Sequence, residues 1–327
     1  MKRIHPAVVL FFLSPILGEV LFGALPLSKA IPGLLSLIGL YGGGALMIRE
    51  LVRIRRLGVW SLFLLGLAYG IVEEGVVVQS FLNPHYPGLD FLGEYGRSFG
   101  ISWVWAVFIV VYHAVFSVTI PIVLTECIFP EKRDEPWLGK KGWFFVASIF
   151  LGTCAWLLIF VTKVGYNSYI PPAAGTLIGT FLMAVIFVKA SLLVGTKPNL
   201  DSDSKNRFLP STRTVRITTF ALTMAWFVVR IILTDPAIPA FISLLGDLIV
   251  LTCGFTIIFK WDTERWDWKR RQAAAAGALP ANWLFGFLIV AATSPIPVLD
   301  LPAHLLIGLI CLMGLHKIKR ELMKLGT

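Results

Sequence analysis

Ten apolar stretches, each close to the ~20 residues an α-helix needs to cross a bilayer, follow one another from end to end of this chain. They fall near residues 6–27, 31–48, 58–82, 102–126, 142–163, 173–195, 215–234, 238–259, 283–299 and 301–316. Hydrocarbon offers the backbone no water to bond, so stretches of this length fold as helices that satisfy their own amides. The chain is 57% hydrophobic and 15% charged, against about 45–50% and 25% in soluble domains, and its mean hydropathy is +0.79. The fold class is therefore all-α, a polytopic transmembrane helix bundle of about ten helices forming one integral membrane domain over residues 1–327. The short basic start, Met1–His5, precedes an apolar run that holds Glu19 and lacks a small-x-small cleavage site, so it reads as a retained first helix. The last two windows include Ser294, Pro295, Pro297, Asp300 and Pro302; two spans or a broken, re-entrant pair both fit them.

Net charge is +10, which in a soluble chain would suggest nucleic acid. The positions of the basic residues argue otherwise. With a cytoplasmic N-terminus, 24 of the 29 Lys and Arg residues fall at the cytoplasmic end, and only Lys29, Arg97 and Lys163 lie in the opposite loops. That is the positive-inside pattern. It places both termini in the cytoplasm, in the plasma membrane of the cell, with the lipid bilayer as partner and no nucleic acid. Trp261, Trp266 and Trp268 alternate with Lys260, Arg265 and Lys269–Arg271, as in an interfacial anchor on an anionic leaflet. Asp201–Ser211 is polar and reads as a flexible loop. The four cysteines all fall in apolar segments without a C-x-x-C pair, so they read as small buried hydrophobes and support neither a zinc ribbon nor a disulfide framework.

Ionisable side chains within spans are costly and usually mark function. Glu73 and Glu74 lie about 12–14 Å below the outer end of their span, His113 about 16 Å, Glu19 about 12 Å and Asp247 about 14 Å, at 1.5 Å per residue. Four helices thus carry ionisable groups at one level, which favours a converging site. Each residue also has a structural reading. One glutamate of the doublet could pair with a neighbouring helix, because adjacent positions point 100° apart. His113 could be a helix–helix hydrogen bonder, and Ser117, one turn on, could share its face. Arg230 and Asp247 read as an ion pair, with Glu19 either a further partner for Arg230 or part of the site. Lys189 lies near a cytoplasmic end and can snorkel. The loop Asn83–Gly100 could cap a pocket or be an ordinary turn.

A glutamate doublet on one helix and a histidine on the next together resemble the CPBP group of intramembrane proteins, the CAAX-prenyl proteases and bacteriocin-processing relatives. That group carries Glu-Glu-x-x-x-Arg, then Phe-x-x-x-His, then a later His-x-x-x-Asn or Asp. Glu73-Glu74 match the doublet and His113 the second-motif histidine. The arginine position holds Val78, the aromatic position holds Ile109 with Phe108 one residue off, and His304 is followed at the third motif's offset by Gly308. The resemblance covers about residues 58–126 and implies catalytic roles for Glu73, Glu74 and His113: a glutamate activating water, a histidine positioning it, and a membrane-associated peptide as substrate. Glutamate and histidine could instead ligate a metal, but the H-E-x-x-H spacing is absent, and no cofactor or metal is assigned.

Two further classes stay open. Buried Glu, His, Asp and Arg at one depth also describe the relay of a proton-coupled transporter, with the Gly42–Gly44 run and the proline-interrupted ninth segment as flexible elements. The same architecture also serves a membrane protein without turnover.

Overall fold

The structure is a computed structural model that describes residues 4–160, 169–195, 208–261 and 266–324. Among the described residues ten helical rods account for nearly all the regular structure, as the all-α reading requires. They are α1 (Pro6–Val20), α2 (27–54), α3 (Val59–Val77), α4 (Trp103–Ile128), α5 (Lys140–Ile159), α6 (Ala174–Gly195), α7 (Thr212–Leu233), α8 (Ala240–Phe259), α9 (Trp268–Thr293) and α10 (Pro297–Lys324). The eight from α3 onward are long and apolar enough to cross a membrane, while α1 is shorter.

The ninth helix starts at Trp268, well before the apolar window at 283. Its first turns are rich in Ala and Gly, too small to raise hydropathy but suited to close packing; the Cβ-free face of Gly277 lies on the Arg216 carbonyl of α7. No re-entrant pair forms at the prolines. The two last helices are separate rods joined through Ser294–Ile296, and Asp300 closes the joint by accepting from Ser294 Oγ at 2.6 Å and from Ser28 N at 2.8 Å.

Two apolar clusters hold the bundle. Aromatic rings dominate one, with Phe22, Phe108, Tyr112, Phe116, Phe227 and Phe285 in contact across α1, α4, α7 and α9. The other joins α1, α2, α3 and α5 through Leu10, Leu46, Leu65, Tyr69 and Val146. Glycine sets the spacing of the second. Gly42 lies on the Phe11 backbone of α1, Gly43 on Phe150 of α5 and Gly44 on the Tyr69 ring of α3, so the Gly42–Gly44 run acts here as a close-packing surface within a continuous rod.

Between α3 and α4 the chain folds back on the bundle. A short antiparallel pair joins Arg97–Ser98 to Ile101–Ser102, and Arg97 donates to the carbonyls of Leu82, Gly93 and Gly100. Tyr95 Oη bonds Ile238 O at 2.7 Å and Ser243 Oγ at 2.8 Å, fastening the segment to the α7–α8 turn. This is a folded element rather than an open turn. The tryptophan-rich segment differs from a purely interfacial anchor: Trp261 is buried against Trp266, and Trp268 stacks near Arg133 and Arg271. Its residues 262–265, and the polar stretch as far as residue 207, lie outside the described residues. All four cysteines are free. Cys127 is buried, but Cys253 is exposed on its helix face, where a small apolar side chain can face lipid.

Candidate functional site

Short π-helical turns interrupt the rods at Ile16–Val20, Ile38–Gly42, Val72–Val77 and His113–Thr119. Hydrogen bonds from Leu21 N to Ile16 O (2.9 Å) and Val78 N to Glu73 O (2.8 Å) show the i→i+5 register. Such turns are rare in helices and concentrate at functional sites. Each of these four carries part of one polar cluster: Glu19, Tyr41, the Glu73–Glu74 doublet, and His113 with Ser117.

The wider turn re-aims side chains and frees carbonyls from the regular ladder, and a buried carbonyl must be satisfied elsewhere. Neighbouring helices, and in one case a side chain of the same helix, satisfy them. Tyr112 Oη donates to Gly18 O at 2.9 Å, Asn282 Nδ2 to Leu17 O at 3.4 Å, Ser14 Oγ to Ser117 O at 2.6 Å and Thr119 Oγ1 to Ala114 O at 2.7 Å.

His113 lies between the two glutamates. Its Nε2 is 2.8 Å from Glu74 Oε1, and its Nδ1 is 2.9 Å from Ser117 Oγ and 3.6 Å from Glu73 Oε2. Both glutamates therefore face one imidazole, which a regular helix would hinder. Ser117 shares the histidine's face, as its spacing suggested. Glu73 and His113 are 2% and 1% exposed and Glu74 is 8% exposed, so all three are buried, Glu74 least deeply. Tyr41 and Tyr69 flank the ring at centroid separations of 5.6 and 6.4 Å.

Several members have no motif to announce them. Ser80 donates to Glu74 Oε2 and receives the Trp105 indole N–H at 3.0 Å. Gln79 turns the chain after α3 with φ 58°, a left-handed conformation a side chain rarely takes, and this reversal brings Ser80 back onto Glu74. Tyr169 Oη donates to Gln79 Oε1 at 2.7 Å. Glu19 accepts from the Tyr41 hydroxyl, which places it in the cluster rather than beside Arg230. Arg230 instead pairs with Asp247, Nη1 to Oδ2 at 3.5 Å, and also donates to Val104 O at 3.0 Å. Asp247, near the cluster's depth by residue count alone, belongs to that separate pair. Among the described residues no Lys or Arg forms an ion pair with Glu19, Glu73 or Glu74.

The sequence matches the model of an uncharacterized membrane protein family over residues 8–312. The chain belongs to that family. No curated protein and no solved structure matches it. Membership spans all ten helices, so the four π turns and the cluster lie within the family's own extent.

Proposed function

We propose that this member of the family is an intramembrane hydrolase acting on a membrane-associated peptide in the plasma membrane. The observation that carries the reading is the placement of His113 between two buried carboxylates, of which Glu74 is the less deeply buried. Glu74 is the general base. It takes a proton from water as the water oxygen bonds the scissile carbonyl carbon, and it returns that proton to the amide nitrogen as the C–N bond breaks. Ser80 and His113 hold the two oxygens of Glu74 in place. His113 also places an imidazole beside the base, where it can donate to the developing oxyanion, and stabilisation of this kind is often the largest part of catalysis. Glu73 lies at the other ring nitrogen, 3.6 Å from Nδ1. The resemblance to the CPBP group supports the same three residues. His304, the sequence's nearest counterpart of the third motif, bonds Trp283 O instead, so no residue of that motif is given a role.

The test uses protein reconstituted in liposomes with a library of membrane-anchored peptides, product termini being read by mass spectrometry. Wild type is expected to generate defined new termini and Glu74→Gln none. Equal cleavage by both proteins, or none by either across the library, overturns the reading. One observation favours a proton-coupled carrier: the cluster holds three glutamates against a single histidine. A carrier would show accessibility alternating between the two sides of the membrane, whereas the hydrolase pocket stays open to one.

A further inference from the structure

A cavity of about 250 Å³ lies among α3, α4, α7, α8 and α9, lined on α4 by Val111, Val115, Phe116 and Val123 rather than by His113 or Ser117. From Val111 to Val123 it runs about 18 Å at 1.5 Å per residue, roughly one leaflet of a ~30 Å hydrocarbon core. Its walls are almost wholly carbon. Thr119 and Thr219 donate their hydroxyls to Ala114 O and Val215 O of their own helices, at 2.7 and 2.9 Å. Trp60, Phe63, Phe255 and Ile258 line it while only half-buried. The groove is therefore reached from the bilayer between α3 and α8, where the rings of Phe63 and Phe255 meet at 5.0 Å.

The unused polar groups gather at the basic end. Trp266 lines the groove there, and its Nε1 is buried without a hydrogen-bond partner among the described residues, as is Arg216 Nε one turn before Thr219. Arg271 lines the same mouth. Its Nε donates to Trp266 O at 3.3 Å, and it forms no ion pair among the described residues. Arg133 and Arg271 both stand over the Trp268 ring, 4.4 and 5.0 Å from its centroid. Arg133 also reaches the exposed Asp134 at 3.4 Å, and Glu126 is already held by Arg49 and Arg53. Desolvated cations need a counter-charge, and this mouth is short of one.

We propose that the groove holds one anionic glycerophospholipid of the leaflet at the basic end, the cytoplasmic leaflet by the positive-inside pattern. One acyl chain lies along Phe63, Phe116, Trp226 and Phe255, and the headgroup phosphate accepts from Arg271 and the Trp266 indole. An α-helix, about 10 Å across with its side chains, is too wide for a slot of this volume, whereas a single hydrocarbon chain enters it. A zwitterionic lipid would bring its own cation to the arginines; an anionic one brings only the charge the mouth lacks, and the inner leaflet is rich in such lipids. Val115, Phe116 and Thr119 belong to the π turn that carries His113 and Ser117, so the chain packs against that turn without drawing on its polar cluster.

Native mass spectrometry of the full-length protein in detergent micelles tests this with dioleoylphosphatidylglycerol and dioleoylphosphatidylcholine as paired probes. Wild type is expected to keep one phosphatidylglycerol per chain and to bind phosphatidylcholine at least about 10-fold more weakly, the effect of a hydrogen bond to a charged group. Arg271→Gln should erase that preference. Trp266→Phe, which keeps a ring and drops the donor, should weaken phosphatidylglycerol alone. Gly254 lines the groove, and a Cβ there would meet nothing nearer than Leu222 at 3.7 Å. Gly254→Leu therefore fills the slot without backbone strain and should exclude both lipids at undiminished thermal stability. Equal retention of the two lipids by wild type, or an undiminished phosphatidylglycerol adduct in folded Gly254→Leu, overturns the proposal. So does displacement of the lipid by glycerol phosphate alone, which would make the mouth a phosphate site. A two-chain mass that Gly254→Leu abolishes would give the groove to a second copy and overturn it too. None of these outcomes depends on turnover, so the hydrolase reading stands or falls apart from them.

Discussion

The bundle buries charge in two places and treats it in opposite ways. At the end rich in basic residues, Arg49 is fully buried and fully matched. It donates to Glu126 at 3.2 Å, to Glu50 at 2.8 Å, and to the carbonyls of Glu135 and Arg133 at 2.7 Å each, while its guanidinium lies 3.5 Å over the Trp137 ring. Glu50 in turn accepts the amides of Trp137 and Leu138, and Arg53 completes the pairing with Glu126. Two arginines balance two glutamates on regular α-helix. Toward the other end, Glu19, Glu73 and Glu74 face one histidine on π turns, with a carboxylate oxygen left over. The balanced cluster clamps the segment between α4 and α5 to α2. The unbalanced one keeps electrostatic demand in reserve for water, protons or a cation. Burial alone does not identify a site; the mismatch of charge and donors does.

The comparison breaks most visibly at Glu74. Glu74→Gln keeps the shape of the side chain and removes the base, so turnover should fall by about 10²- to 10⁴-fold, the span general-base catalysis supplies. Stability should not follow it down. Replacing one of several like charges in low dielectric relieves repulsion, so thermal unfolding of both Glu74→Gln and Glu73→Gln should occur at or above the wild-type temperature. Unfolding well below wild type would show that the outer cluster is a clamp too, and the contrast would fail.

At the basic end the opposite holds. Arg49→Ala removes one partner of a buried pair and leaves Glu50 without a cation, while Glu126 keeps Arg53, a change that costs about 3–5 kcal/mol. Denaturation in mixed micelles should show that loss, whereas peptide cleavage by the protein that remains folded should match wild type. A stability loss under about 1 kcal/mol would mean that water reaches the cluster and screens it.

Much of this was legible in sequence, for a physical reason. Hydropathy is a sum over ~20 residues, so it finds rods even where their edges blur; the positive-inside bias then fixes their alternation. Glu73, Glu74, His113 and Ser117 stood out because polar atoms in such windows are rare. The clamp was hidden because Arg49 and Arg53 lie where basic residues are expected at a helix end, so topology accounted for them without Glu50 or Glu126. The π turns were hidden as well, since i→i+5 bonding adds one residue to a turn without a residue type of its own. A regular wheel separates Glu73 from Glu74, and only the widened turn shows both to one imidazole. Ser80 and Trp105 flank the spans, where polar and indole groups are ordinary.

Asp247 tests whether depth or pairing decides. By residue count it lies near the depth of the outer cluster, but it pairs with Arg230, and both Arg230 Nη2 and Asp247 Oδ1 remain unpartnered. Asp247→Asn leaves the arginine its bond to Val104 O, so a loss of about 1–3 kcal/mol is expected, that of one unsatisfied buried group, with no change in cleavage. A selective loss of cleavage at wild-type stability would move Asp247 into the site.

The smallest change sharpens the comparison furthest. Ser80 lies in the loop after α3, its hydroxyl donating to Glu74 while the Trp105 indole donates to it. Ser80→Ala deletes one hydrogen bond and strands an indole N–H, worth about 0.5–1.5 kcal/mol of stability. If Ser80 were only a peg for the loop, that would be the whole effect, and a threonine, which keeps the hydroxyl, would restore it. In the hydrolase reading the hydroxyl also fixes the second oxygen of the base. Ser80→Ala should then lower kcat with KM little changed, because the carboxylate loses the bond that aims it. Ser80→Thr should restore kcat. A fall in stability with an unchanged kcat would assign Ser80 to the scaffold and leave Glu74 held by His113 alone.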